Sequence, residues 1–165
     1  GVFPHNVTSS SVVISDKYVF ASTSNGVDWS HINIPAPHSP SLIALDKETG
    51  ELAGEEYSGI SQSIMHCNWS SPAYSDNLAG KPTTVFGAGD GVTYGFHATE
   101  FDEEEDGGET YKLFKELWKV DCCPSGPTVT STVIRLSSVL VVLLTSTKIR
   151  SLSARQHCKR LRRPA

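Results

Sequence analysis

The chain has 165 residues, 38% hydrophobic and 19% charged, with a net charge of −4 that conceals a division. All 18 acidic residues lie between Asp16 and Asp121 beside only six lysines, so residues 1–121 carry −12; residues 122–165 hold eight Lys or Arg, no acid, and carry +8. The composition excludes a disulfide scaffold, a collagenous chain and a coiled coil, and the longest apolar run, 139–144, is far short of the ~20 residues that cross a bilayer as a helix.

Short segments with period-2 alternation, rich in β-branched and aromatic residues, predict strands at 11–14, 18–22, 42–46, 83–86, 92–96 and 113–120. Turn chemistry separates them: Ser15-Asp16, Asn25-Gly26, Lys47-Glu48-Thr49-Gly50 and Asp90-Gly91. No amphipathic helix is evident, so the body reads as an antiparallel all-β meander. The meander repeats at an offset of about 60 residues. Tyr18–Ser22 is echoed by 84–88, 41–46 by 92–97, and each half then runs through an acidic, Gly-containing turn into a last strand.

The segment Leu42-Ile43-Ala44-Leu45-Asp46-Lys47-Glu48-Thr49-Gly50 resembles the repeat of quinoprotein (PQQ-type) β-propellers. So does Gly89-Asp90-Gly91-Val92-Thr93-Tyr94-Gly95-Phe96, closing at Leu117-Trp118. The longer string 23–50 is similar to a bacterial subfamily of PQQ-like propeller repeat proteins that resembles the outer-membrane assembly lipoprotein propeller. The resemblance implies about two four-stranded antiparallel blades, at 7–57 and 68–121, forming a partial β-propeller. Propellers close with about 4–8 blades, so it also implies a fragment of a longer protein. Three departures stand out: Ala53-Gly54 replaces the closing aromatic, His97 stands where the repeat has Asp, and an acidic insert, 102–106, reads as a solvated loop. These departures are expected to weaken one contact between blades.

Blade topology puts the long 27–40 insert, the 58–69 connection and the Gly89-Asp90-Gly91 turn at one end, gathering Asp28, Trp29, His31, His38, His66, Asn68, Trp69 and Asp90. This loop-rich face is the expected site. Asn25, Asp28, Trp29 and Trp69 are candidates for holding a cofactor, and His31, His66 and Asp90 for holding a metal. Each also has a structural reading: Asp28 caps a turn, Asp90 shapes a hairpin, the tryptophans pack loops and the histidines are polar loop residues. No nucleophile elbow or phosphate-binding loop accompanies them, so no catalytic residue is assigned. The resemblance leaves open PQQ and calcium as cofactors. It also draws notice to the adjacent Cys122 and Cys123, since an adjacent cysteine pair packs over the quinone in PQQ-dependent alcohol dehydrogenases.

Residues 122–165 do not continue the repeat. They are expected to be a basic tail, disordered or translated out of frame; a nucleic-acid-binding arm is the other reading, opposed by the absence of any aromatic after Trp118. The expected function is a binding or scaffold module acting through the loop-rich face. The alternative is part of a PQQ- and calcium-dependent quinoprotein dehydrogenase that oxidises alcohols or sugars. Expected partners are the remaining blades or another protein, with a small-molecule ligand left open. The resemblance implies a periplasmic or extracellular setting, although no leader of the signal-peptide kind opens the chain.

Overall fold

A computed structural model of the chain describes residues 1–5, 8–64 and 66–122. Apart from Cys122, the tail lies outside the described residues, as does Cys123. Eight strands are present: β1 (Val13–Ile14), β2 (Tyr18–Ser22), β3 (Leu42–Asp46), β4 (Leu52–Glu55), β5 (Ala73–Leu78), β6 (Lys81–Gly87), β7 (Val92–Asp106) and β8 (Glu109–Asp121). They form one sheet in the order β1-β2-β3-β4-β8-β7-β6-β5. Each set of four is an antiparallel meander, and the sets join through one parallel pair, Glu55 with Leu113. At the opposite edges β1 and β5 approach, and the Ser11 N–H donates to Ser71 Oγ at 2.8 Å, so the sheet nearly closes into a barrel. Among the described residues there is no α-helix, only a 3-10 turn at Ile60–Gln62. No helix there is long and apolar enough to cross a membrane.

The two halves repeat one another with a register that differs by one residue from the sequence echo. Phe20 pairs with Ala44 and Phe86 with Tyr94, so Leu42 corresponds to Val92, where the echo placed Ser41. One residue decides which face a side chain takes. The hairpin partners resolve it: Leu42, Ala44, Tyr94 and Phe96 all point inward and are buried.

The core lies between the halves. Phe114 on β8 touches Phe20 from β2 (ring centroids 6.0 Å), Phe96 (5.4 Å) and Phe101 (5.6 Å), and Phe101 meets the edge of Tyr18 at 5.4 Å. Gly54 on β4 makes this possible. A Cβ there would stand 2.5 Å from the Phe101 ring. The aromatic that the first half lacks at Ala53-Gly54 is thus supplied across the interface by Phe101, and the contact expected to be weak is filled.

The acidic insert is not a loop. Residues 102–106 continue β7 and pair in register with β8: Glu103 with Lys112, Glu104 with Tyr111, Glu105 with Thr110. Asp and Glu are poor strand formers, but their preference is overridden by a regular partner strand and by the Phe101–Phe114 stack at the base of the hairpin. His97 also finds a role. Its Nδ1 accepts the N–H of Thr99 (3.4 Å) and of Glu100 (3.0 Å). Asp46 Oδ1 does the same for Glu48 and Thr49 (2.9 and 3.1 Å) in the first half. His97 thus serves the bulge between Phe96 and Phe101 within β7; in the observed register the counterpart of Asp46 is Phe96, so the two acceptors do similar work at different positions.

The outward face of the first half is apolar. Ile14 pairs with Val19, Val19 with Leu45, and Leu45 with Leu52, so these four form a row across β1–β4. Ile14 and Leu52 are 61% and 58% exposed. Placing Val at position 54 is expected to displace Phe101 and lower stability by about 1–3 kcal/mol. Urea unfolding of Gly54→Val, Phe101→Ala and the double variant checks this: the double variant should lose less than the sum of the two single effects.

Candidate functional site

The β2–β3 loop, the β4–β5 connection and the β6–β7 turn meet at one end of the sheet, and the N-terminal segment joins them. Pro4 forms a bridge with Asn25 and Gly26 with Cys67. Gly26 is required at that crossing: a Cβ would stand 2.4 Å from the His66 carbonyl oxygen and 2.9 Å from His5 Cβ. The Val27 N–H donates to the same His66 carbonyl at 2.8 Å. The sequence motif Asn25-Gly26 therefore marks a close approach of two loops and not the tight turn expected of it: both residues form isolated bridges and neither has a positive φ.

Beneath the crossing lies a buried polar network. Asn68 Nδ2 donates to the Asn25 carbonyl (3.2 Å) and to Ser41 Oγ (2.9 Å), while its Oδ1 accepts the Gly89 N–H (2.8 Å). Ser41 Oγ lies 2.9 Å from Ser61 Oγ, which donates to the Ser39 carbonyl at 2.6 Å. Asn25 Nδ2 donates to Ser61 Oγ (3.0 Å) and the Ala36 carbonyl (2.8 Å), and its Oδ1 accepts the Phe3 N–H (2.8 Å). Both asparagines are fully buried. Ser61 has given its proton to Ser39, so it accepts from Ser41 and Asn25, and every member of the network is satisfied.

Above the crossing, imidazoles gather. Asp28 folds the loop back: Oδ1 accepts the Ser30 N–H at 3.0 Å, Oδ2 accepts Asn33 Nδ2 at 2.9 Å, and its carbonyl accepts the His31 N–H at 3.0 Å. The hydrogen bonds from Ser30, then Asn33, hold its carboxyl well below the usual carboxylate range. This turn carries His31 in a left-handed conformation (φ 60°). The His31 ring stacks on His66 with centroids 4.7 Å apart and planes 10° from parallel. His5 lies 4.8 Å from His31 and 4.3 Å from His66. Trp29 and Trp69 flank the group, 5.5 Å from His5 and 4.7 Å from His66. One ligand nitrogen from each of His5, His31 and His66 lies within 4.8 Å of the others. Burial, then the neighbouring His5 and His31, holds His66 below its ordinary value of 6.5 and favours the neutral ring.

The structure thus brings His31, His66, Trp29 and Trp69 together and separates the other candidates from them. Asp90 forms no part of the histidine group: its Oδ2 accepts the Tyr94 hydroxyl at 2.7 Å and its Oδ1 the Val92 N–H at 2.9 Å. Asn25 has each side-chain atom committed within the chain, and Asp28 is occupied by its own turn. Asn25 Oδ1 and the carboxylates of Asp28 and Asp90 each accept hydrogen bonds from the protein, so a quinone or calcium ion held there would compete with donors of the chain itself. The cleft between residues 37–39 and 56–62 is about 80 Å³, small against the roughly 300–1,000 Å³ of most small-molecule sites. His5 is the member that sequence reasoning missed. It lies some 20 residues from Asn25-Gly26, outside any recognisable spacing, and only the pairing of the N-terminal segment with those residues brings it in. No protein family, curated protein or solved structure matches this chain.

Replacing Asn68 by Ala orphans the Gly89 N–H and the Asn25 carbonyl and leaves Ser41 Oγ with Ser61 alone. At about 1–3 kcal/mol for each buried unsatisfied group, destabilisation should reach about 2 kcal/mol or more, measured by urea unfolding; a loss near zero would mean that water replaces the amide. Stability should also depend on pH. Glu56 Oε2 accepts the Ser41 N–H at 3.0 Å and Oε1 accepts the Ser58 N–H. Burial nevertheless raises its carboxyl above the ordinary 4.5, and burial raises Asp90 above 3.8. The fold therefore disfavours these charges. That contribution to stability is complete below the unfolded values and is lost as pH rises through the folded ones. The melting temperature is expected to fall as pH rises above about 4.5, through the raised folded-state values. Glu56→Gln should flatten the slope while lowering stability throughout by about 1–2 kcal/mol, since its amide nitrogen opposes one backbone donor.

Proposed function

We propose that the chain is two blades of a PQQ-like β-propeller repeat protein, of the bacterial subfamily similar to the outer-membrane assembly lipoprotein propeller. In this reading it acts as a non-catalytic binding or scaffold module through its loop-rich end, in a periplasmic or extracellular setting. One observation carries the reading. Two antiparallel four-stranded meanders lie against one another with first strand near first strand and fourth beside fourth, and the outward face of the first is an apolar row, Ile14-Val19-Leu45-Leu52, left to solvent. A blade buries its faces against neighbours, so the natural occupant of that row is a further blade. The loop-rich end supports the binding role. Trp29, 73% exposed, stands beside the histidine group on loops held by a rigid polar network, the usual arrangement of a recognition surface.

Sedimentation and quinone titration test the reading together. The chain should self-associate through the open face, and Ile14→Lys with Leu52→Lys should render it monomeric without loss of β-sheet circular dichroism. Titration with PQQ and calcium, followed by quinone absorbance, should give no saturable binding. A wild-type monomer that does not bind a hydrophobic dye would end the blade reading. Stoichiometric quinone binding would favour the dehydrogenase.

A further inference from the structure

We infer that His5, His31 and His66 form a binding site for one divalent transition-metal ion of the zinc class, at the loop end and independent of the blade reading. His5 is the anchor. It is 1% exposed, and its Nδ1 lies 2.7 Å from the Val27 carbonyl. A carbonyl only accepts, so Nδ1 bears the proton and Nε2 the lone pair. A backbone carbonyl on the far ring nitrogen is how metal-ligating histidines are fixed in tautomer and orientation. The same Nε2 is buried and has no hydrogen-bond partner among the described residues, an arrangement that costs free energy unless a ligand meets it.

The other two donors come from opposite sides of the loop crossing. His66 is carried on the connection whose carbonyl receives the Val27 N–H, and His31 is presented by the Asp28 turn in a strained left-handed conformation of the kind that collects at functional sites. The three ligand nitrogens lie within 4.8 Å of one another. A tetrahedral ion with bonds of about 2.1 Å needs edges of about 3.4 Å. His31, the exposed member of the three, has room to turn towards the other two.

The donor set selects the ion. Three imidazoles with no carboxylate in the group suit zinc, copper, nickel or cobalt and disfavour calcium and magnesium; Asp28, in the same loop as His31, is engaged with Ser30 and Asn33. Three protein ligands leave a fourth position, on the solvent side near exposed Trp29, for water or an exchangeable ligand.

The test uses the full chain, washed with chelator and titrated with zinc by calorimetry, with cobalt as the spectroscopic reporter and copper for counting nitrogens by electron paramagnetic resonance. One equivalent should bind, cobalt should show the intense visible bands of a four-coordinate site, and copper should show coupling to three nitrogens. His31→Ala lies on the surface and should leave the circular dichroism unchanged. It should weaken zinc by more than the about 10–100-fold that losing an outer-shell partner costs, as should His66→Ala, whereas His38→Ala should have no effect. Absence of saturable binding, affinity unchanged by His31→Ala, or an equal loss in His38→Ala would each overturn the inference. A propeller reading lost in sedimentation would leave these outcomes untouched.

Discussion

Two buried amides hold the loop end of this protein together. Asn68 reaches across from the β4–β5 connection to the Asn25 carbonyl, to Ser41 at the start of β3 and to Gly89 before β7. Asn25 reaches back to Ala36, Ser61 and Phe3. Because both side chains are fully buried, any displacement of one loop strands a donor or acceptor on another, and the network holds together or fails as a unit. The aromatic core between the halves stabilises the sheet without regard to the loops; the asparagine network is what gives the loops one arrangement.

That rigidity explains how a histidine cluster can exist at the loop end without a strand or helix beneath it. Each imidazole is delivered by a different segment, and each segment is tied down next to the ring it carries: His5 by the Val27 carbonyl, His66 by Val27 N–H and Gly26, His31 by the Asp28 turn. The residues that looked most like ligand holders, Asn25 and Asp28, are the ones that shape the loops, and their hydrogen-bonding capacity is spent in doing so. The chemistry is left to side chains with free lone pairs. Asp46 and His97 show the same division, each spending its acceptor on backbone N–H groups two or three residues ahead.

Much of the architecture could be read from local pattern. Strands β2 and β3 coincide with the alternating segments 18–22 and 42–46, because a half-buried strand with turn residues at both ends leaves few alternatives. The convergence of the β2–β3 loop with the β4–β5 connection also followed from chain order, since it depends only on strand direction. The repeat register did not, as sequence similarity between short strands tolerates a slip that hydrogen-bonded pairing does not. The long β7–β8 hairpin was hidden for a different reason: its acidic residues read as loop until their partners across the ladder, from Glu109 to Leu113, are known.

The sequence by itself determined the all-β class, the hairpin turns, the two-fold repeat of the meander and the end of the sheet at which functional residues gather. These depend on alternation, turn chemistry and chain direction, which are local properties. Only the tertiary structure decided that Phe101 fills the space over Gly54, that Asn25 is structural and that His5 completes the group with His31 and His66. Each of these is a contact between residues far apart in the chain. Whether a lone pair is spent or left over depends on neighbours that no local pattern names.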